Sequence, residues 1–176
     1  MAKYSAQFSS VPFAVTALGS AISTTATNSF MGLIGGVATG GLKVSEIFIG
    51  GEAASASQVA SMAFSRATQL ASTLTAGLAT ITLTDIFAAP PTTGPSVGTQ
   101  WVTTQAPIAS ANALLHLSYN AYGGIVRWVS SPDQNITAFG TGAYTNGTQG
   151  VGGELILTQI AGTASTMSGH ILFETL

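Results

Sequence analysis

Few side chains in this sequence can donate, accept or relay a proton: two histidines, His116 and His170, and six acids, Glu46, Glu52, Asp85, Asp133, Glu154 and Glu174. A serine triad would need one of those histidines, with Asp85 or Asp133 to orient it. No Gly-x-Ser-x-Gly elbow is present, and among 19 serines a Ser/His coincidence carries no information. The acids are scattered singly, without the ligand spacing of a zinc or calcium site. Cysteine is absent, which removes thiol nucleophiles, thiolate metal sites and disulfides together. Neither Gly-x-Gly-x-x-Gly nor a P-loop occurs. Glycoside hydrolysis asks only for two carboxylates across a cleft, and Glu46 with Glu174 is the pair to consider. Single acids in strands usually point to solvent, so the sequence reads as non-enzymatic, with no catalytic, cofactor-binding or metal residue and no cofactor.

Aromatic residues offer a different chemistry. Trp101 and Trp128, with nearby tyrosines, are candidate stacking platforms for a carbohydrate or receptor, the function of a head-fibre or tail module. Trp128 lies in a probable strand, Ile125 to Val129, where core packing competes with that role. His116 alternates with Leu115 and Leu117, so its imidazole is expected on the opposite side from those leucines. Asn135-Ile136-Thr137 and Asn146-Gly147-Thr148 match the glycosylation acceptor pattern, but threonine frequency alone produces such matches.

The elements that position these residues are strands, because the hydrophobic period is mostly two rather than 3.6. In Leu78 to Ile86, Ile81 and Leu83 point one way while Thr80, Thr82 and Thr84 point the other. Similar segments recur at Lys3 to Phe8, Leu42 to Ile49, Val59 to Arg66, Leu114 to Tyr119, Ile125 to Val129, Leu155 to Ile160 and His170 to Leu176, giving about eight strands. For Ala53 to Ala71, loop then strand is preferred over a helix. Chain reversals are expected at Gly50-Gly51, Pro90-Pro91 with Gly94-Pro95, Gly123-Gly124, Ser131-Pro132-Asp133, Asn146-Gly147, Gly152-Gly153 and Gly162. Short strands with Gly/Pro-rich turns select an all-β fold, a jelly-roll-like β-sandwich. Residues 42–176 form that domain in this reading. Residues 1–41, charge-free after Lys3, read as an N-terminal extended arm or edge strand, and removing residues 1–20 is expected to leave the domain folded.

Charged residues make up 6% of the 176, against about 25% in an ordinary soluble domain. Four cations, Lys3, Lys43, Arg66 and Arg127, cannot neutralise a row of phosphates, so nucleic acid is excluded as a partner. Hydrophobic residues make up 46% of the chain, far too much for disorder. No stretch approaches the roughly 20 apolar residues of a membrane helix, and no secretory signal is read at the N-terminus. Ala, Thr, Gly and Ser together account for 91 of the residues. Exposed faces built from them carry little repulsion and desolvate at small cost, which suits broad contact with neighbouring proteins. Tyr4, Phe8, Phe13, Phe30 and Met31 are the candidate interface anchors within the arm.

The runs LKVSEIFIGGEAA (Leu42 to Ala54), AYGGIVRWVSSP (Ala121 to Pro132) and SGHILFETL (Ser168 to Leu176) resemble head decoration, or cement, proteins of tailed bacteriophages. The resemblance implies a jelly-roll homotrimer on the outer capsid surface, made in the host cytoplasm. Its partners would be its own copies and the major capsid protein shell.

Overall fold

The computed structural model describes residues 3–13, 15–20, 31–34, 41–53, 58–69, 78–80, 83–85, 96–101, 108–139 and 154–176. All regular structure among them is β: β1 (Lys3–Phe13), β2 (Met31–Ile34), β3 (Gly41–Glu52), β4 (Val59–Gln69), β5 (Leu78–Thr80), β6 (Leu83–Asp85), β7 (Ser96–Trp101), β8 (Ile108–Asn120), β9 (Tyr122–Val129), β10 (Ile136–Phe139), β11 (Glu154–Gly162) and β12 (Ser165–Thr175). They form two antiparallel sheets. The first runs β10-β3-β12-β1-β6, with β9 also paired to β3; the second runs β5-β7-β2-β11-β4-β8. The inner faces share one core, with Tyr4, Phe13, Leu42, Ile47 and Phe173 from the first sheet meeting Leu33, Phe64, Leu117, Leu155 and Leu157 from the second. The fold is a β-sandwich.

Strand β3 shows how the sequence sets this arrangement. Leu42 and Val44 point inward, then Ser45 and Glu46 follow as consecutive polar residues, and Ile47 and Ile49 point inward again. The phase slip is a β-bulge: Phe173 pairs with Val44 and Leu172 with Glu46, leaving Ser45 as the extra residue. Glu46, Phe48 and Gly50 are thereby turned to the outer face. Strand β1 carries a second bulge, between Phe8 and Val11. There Ser10 adopts φ 51°, a left-handed conformation that costs a non-glycine residue about 1–3 kcal/mol.

The chain passes between sheets at tight corners. Ala121 links β8 of the second sheet to β9 of the first, receiving a hydrogen bond from Ala53 N (2.9 Å) and donating one to Gln58 O (2.6 Å). A Cβ on Gly51 would lie 2.1 Å from Ala121 O, so only glycine fits there. At the β11–β12 corner Gly162 has φ 96°, and a Cβ would lie 1.9 Å from Val59 O. The buried Gln159 amide braces this corner, its Nε2 donating to Ala161 O (3.2 Å) and Thr163 O (2.8 Å).

Several expectations are corrected. Lys3–Phe13 is no detached arm: β1 lies between β12 and β6, and Tyr4, Phe8 and Phe13 are 1%, 5% and 1% exposed in this chain's own core. Those three side chains are therefore unavailable as anchors for a neighbour. Gly50-Gly51 does not reverse the chain but lies inside β3. Leu78 to Ile86 is not one strand, since β5 and β6 belong to different sheets. The turn at Ser131-Pro132-Asp133 is present, closed by Gln134 N donating to Ser131 O at 3.1 Å. The turns expected at Pro90-Pro91, Asn146-Gly147 and Gly152-Gly153 lie outside the described residues, as does Phe30; Met31 is in β2, with its side chain outside them.

Because β1 is an inner strand, deleting residues 1–13 is expected to abolish cooperative unfolding rather than release a folded domain. Phe13→Ala is expected to lower stability by about 3–5 kcal/mol, as burying an aromatic of this size implies. Denaturant unfolding followed by tryptophan fluorescence and far-UV circular dichroism measures both.

Candidate functional site

The polar chemistry of the molecule gathers on the outer face of the first sheet. Register across four strands sets Gln7, His170, Phe48 and Arg127 in one row. The neighbouring row holds Ser5, Leu172, Glu46 and Val129, and the row on the other side holds Ser168, Gly50 and Ile125. Diagonal neighbours in adjacent rows are within reach of long side chains. Glu46 uses both diagonals: it accepts from Arg127 Nε (3.0 Å) and Nη2 (2.8 Å), and its Oε1 lies 3.1 Å from His170 Nε2. The Arg127 fork, then burial opposing it, then the His170 contact set the Glu46 carboxyl, which is held below its usual range. The His170 ring stacks on Phe48, with centroids 5.4 Å apart and 10° between planes.

Beside this row the surface dips. Gly50 occupies a position where every neighbouring outer-face residue carries a side chain, and a groove of about 490 Å³ opens over it. Phe48 and His170 bound it on one side, and Gln7, Phe8 and Ser9 of β1 on another. Glu52 closes the end. Its carboxylate is clamped by two hydroxyls: Ser10 Oγ donates to Oε2 (2.8 Å) and Ser168 Oγ donates to Oε1. Ser168 Oγ in turn accepts from Ser10 N at 2.8 Å. These hydroxyls, Ser168 first, hold the Glu52 carboxyl below its ordinary range. The strained Ser10 backbone is what aims both its groups at this network.

A second feature is the margin of the sandwich where β8 and β9 follow one another. Among the described residues β8 pairs with β4 alone and β9 with β3 alone, so both are edge strands. Strand β9 turns Val126 and Trp128 toward the core and Ile125, Arg127 and Val129 outward. Ile125 is 67% exposed, Val129 53% and Tyr122 52%.

The residues singled out from sequence divide accordingly. Trp128 is half-buried and packs against the core. Trp101 ends β7 with its side chain outside the described residues. Glu46 and Glu174 are each engaged in an ion pair, Glu46 with Arg127 at 2.8 Å and Glu174 with Lys43 at 3.1 Å. His116 is exposed while Leu117 is buried, as the alternation requires. Asn135 supports the turn before it, its Nδ2 donating to Pro132 O at 2.9 Å. Among the described residues no group of three or more His, Asp or Glu is placed to hold a metal. Glu52 was visible only as one acid among scattered acids; its partners Ser10 and Ser168 lie 42 and 116 residues away. No protein family, no curated protein and no solved structure matches this chain.

Both lowered carboxyls have the same consequence for stability. A group depressed in the folded state stabilises it above the ordinary carboxyl value of 4.5 and loses that contribution as pH falls through the lowered value. Melting temperature is therefore expected to drop as pH falls below 4.5. In Arg127→Gln the melting temperature should lie slightly below the parent near neutral pH, with the gap closing in acid, where Glu46 is protonated in both proteins. Thermal melts across that range check the sign.

Proposed function

We propose that this chain is a structural assembly subunit that joins other protein copies through its open β8–β9 margin. The observation that carries the reading is β9 itself: an edge strand presenting Tyr122, Ile125 and Val129 to solvent, in a chain with 6% charged residues. Monomeric proteins blunt such edges with lysines or prolines, because unpaired N–H and C=O groups template pairing with another chain. Here the cation on β9 is Arg127, and its charge is engaged by Glu46. Backbone pairing along β9, with Ile125 and Val129 packed across it, would bury apolar surface with almost no charge to desolvate.

The occupant we propose for this edge is a second copy of the chain, within a homotrimer of jelly-roll-like subunits. In the specific form that the sequence resemblance implies, that trimer decorates the outside of a tailed-phage capsid after synthesis in the host cytoplasm. It would bridge neighbouring subunits of the major capsid protein shell without catalysing a reaction. Its action would be linkage: a ligand that binds only the assembled lattice stabilises each site by RT ln(1 + [L]/Kd), about 2.7 kcal/mol at a hundredfold excess over Kd.

Sedimentation of the full chain is expected to show an oligomer whose mass is unchanged between low and molar salt, since few charges contribute. Ile125→Lys combined with Val129→Lys is expected to yield a folded monomer that no longer co-sediments with empty shells of the virus encoding it. A parent protein that stays monomeric throughout, or an oligomer that ignores the double lysine substitution, would refute the edge as the joint.

A further inference from the structure

The groove over Gly50 has no part in that assembly reading, and it is built in a way that packing does not demand. Gly51 beside it is required by the Ala121 corner. Gly50 is not: a Cβ there would meet only Ser168 O at 3.7 Å and Ile125 Cγ2 at 3.8 Å, ordinary contacts. A Cβ would fit there without shifting its neighbours, and a residue bearing one would suit a strand better than glycine. Ser10 is equally unforced, holding a left-handed backbone that glycine would adopt without cost. Local stability is given up at both positions, and what is gained is an open groove ending in a carboxylate fixed by two hydroxyls. Strain of this kind points to a ligand rather than to the fold.

The lining states what ligand. Among the described residues Glu52 is the one acid bordering the groove, and each of its oxygens already accepts one serine hydroxyl, so further lone pairs remain at fixed positions. Gln7, Ser9 and Ser168 add neutral donors and acceptors, while Phe48 and His170 give an aromatic wall. The depression, about 490 Å³ and open to solvent, admits one face of a small ring rather than enclosing it. A ring that is apolar on its C–H faces and bears several hydroxyls at its rim meets all these groups at once. We propose that this groove binds a neutral saccharide unit, with the Glu52 carboxylate accepting its hydroxyl protons and Phe48 and His170 flanking the ring. A cationic side chain from a partner is the competing occupant; it would use the carboxylate but leave the amide, the hydroxyls and most of the volume without a role.

The test uses the full chain on an array of neutral, acidic and amino oligosaccharides, followed by titration calorimetry with the best neutral sugar and with Nα-acetyl-lysine amide. Expected are binding of a neutral saccharide that persists in molar salt, no displacement by the lysine derivative, and a loss of affinity of about tenfold or more in Gly50→Val and in Glu52→Gln. Ser10→Gly should also weaken binding while melting no lower than the parent, which separates a binding role from a folding one. The proposal is overturned by an array without neutral-sugar binding, by affinity unchanged in Gly50→Val and Glu52→Gln when both melt like the parent, or by lysine-competed, salt-sensitive binding. Glu52→Gln and Ser10→Gly lie off β9, so loss of binding in them with an unchanged sedimentation mass separates this site from the β9 joint.

Discussion

Backbone packed directly on backbone at the two corners is the constraint on which the rest of this molecule depends. A sandwich needs its chain to leave one sheet and enter the other, and a buried crossing must satisfy its own amides. Ala121 does so by bonding to Ala53 on one side and Gln58 on the other. That approach is possible only because Gly51 has no Cβ to meet the Ala121 carbonyl. Gly162 allows the same closeness against Val59. With no cysteine, the sheets are otherwise joined, among the described residues, by the shared core, by the buried Tyr119 hydroxyl donating to Met167 Sδ (2.7 Å) and by Thr16 N donating to Gln159 O (2.8 Å). The crossing at Ala121 also makes β8 and β9 consecutive edge strands, so the exposed margin is a product of the corner.

Much of this was legible in sequence and some could not be. Period-two alternation marked the strands, but the bulge in β3, where the polar pair Ser45-Glu46 shifts the phase, was not read from it. The glycine pair at 50 and 51 misled, because a glycine needed for close approach inside a strand has the same letter as one needed for a turn. The N-terminal segment misled for a related reason: lack of charge fits an arm that docks elsewhere and equally a strand buried between β12 and β6. The candidate groove was the least legible part. Its carboxylate, its two serines and its aromatic wall come from β3, β1 and β12, brought together by sheet order, and no short-range pattern encodes sheet order.

Scarcity of charge has a structural counterpart. The ion pairs Arg127–Glu46 and Lys43–Glu174 both sit on the outer face of the first sheet, each joining adjacent strands. Exposed pairs of this sort contribute little to stability. Their effect is to fix which neighbour faces which, and Arg127 is the clearest instance: drawn onto Glu46, it leaves the β9 edge without a free repelling cation. The same few charges that organise the outer face therefore leave the margin open.

Groove and margin then answer to different selective demands on one sheet. The margin is apolar, extended and backed by the core through Val126 and Trp128, so substitutions there that keep the strand leave the fold unaltered. The groove is held open by two residues whose replacement would improve local packing or relieve strain, Gly50 and Ser10. Proteins give up stability in this way where function requires a preformed cavity. Were the outer face merely a solvated surface, a residue with a Cβ at position 50 would meet no clash and glycine at position 10 would remove the left-handed strain. That the chain has neither is the physical case for a ligand on this face, separate from whatever the edge of β9 joins.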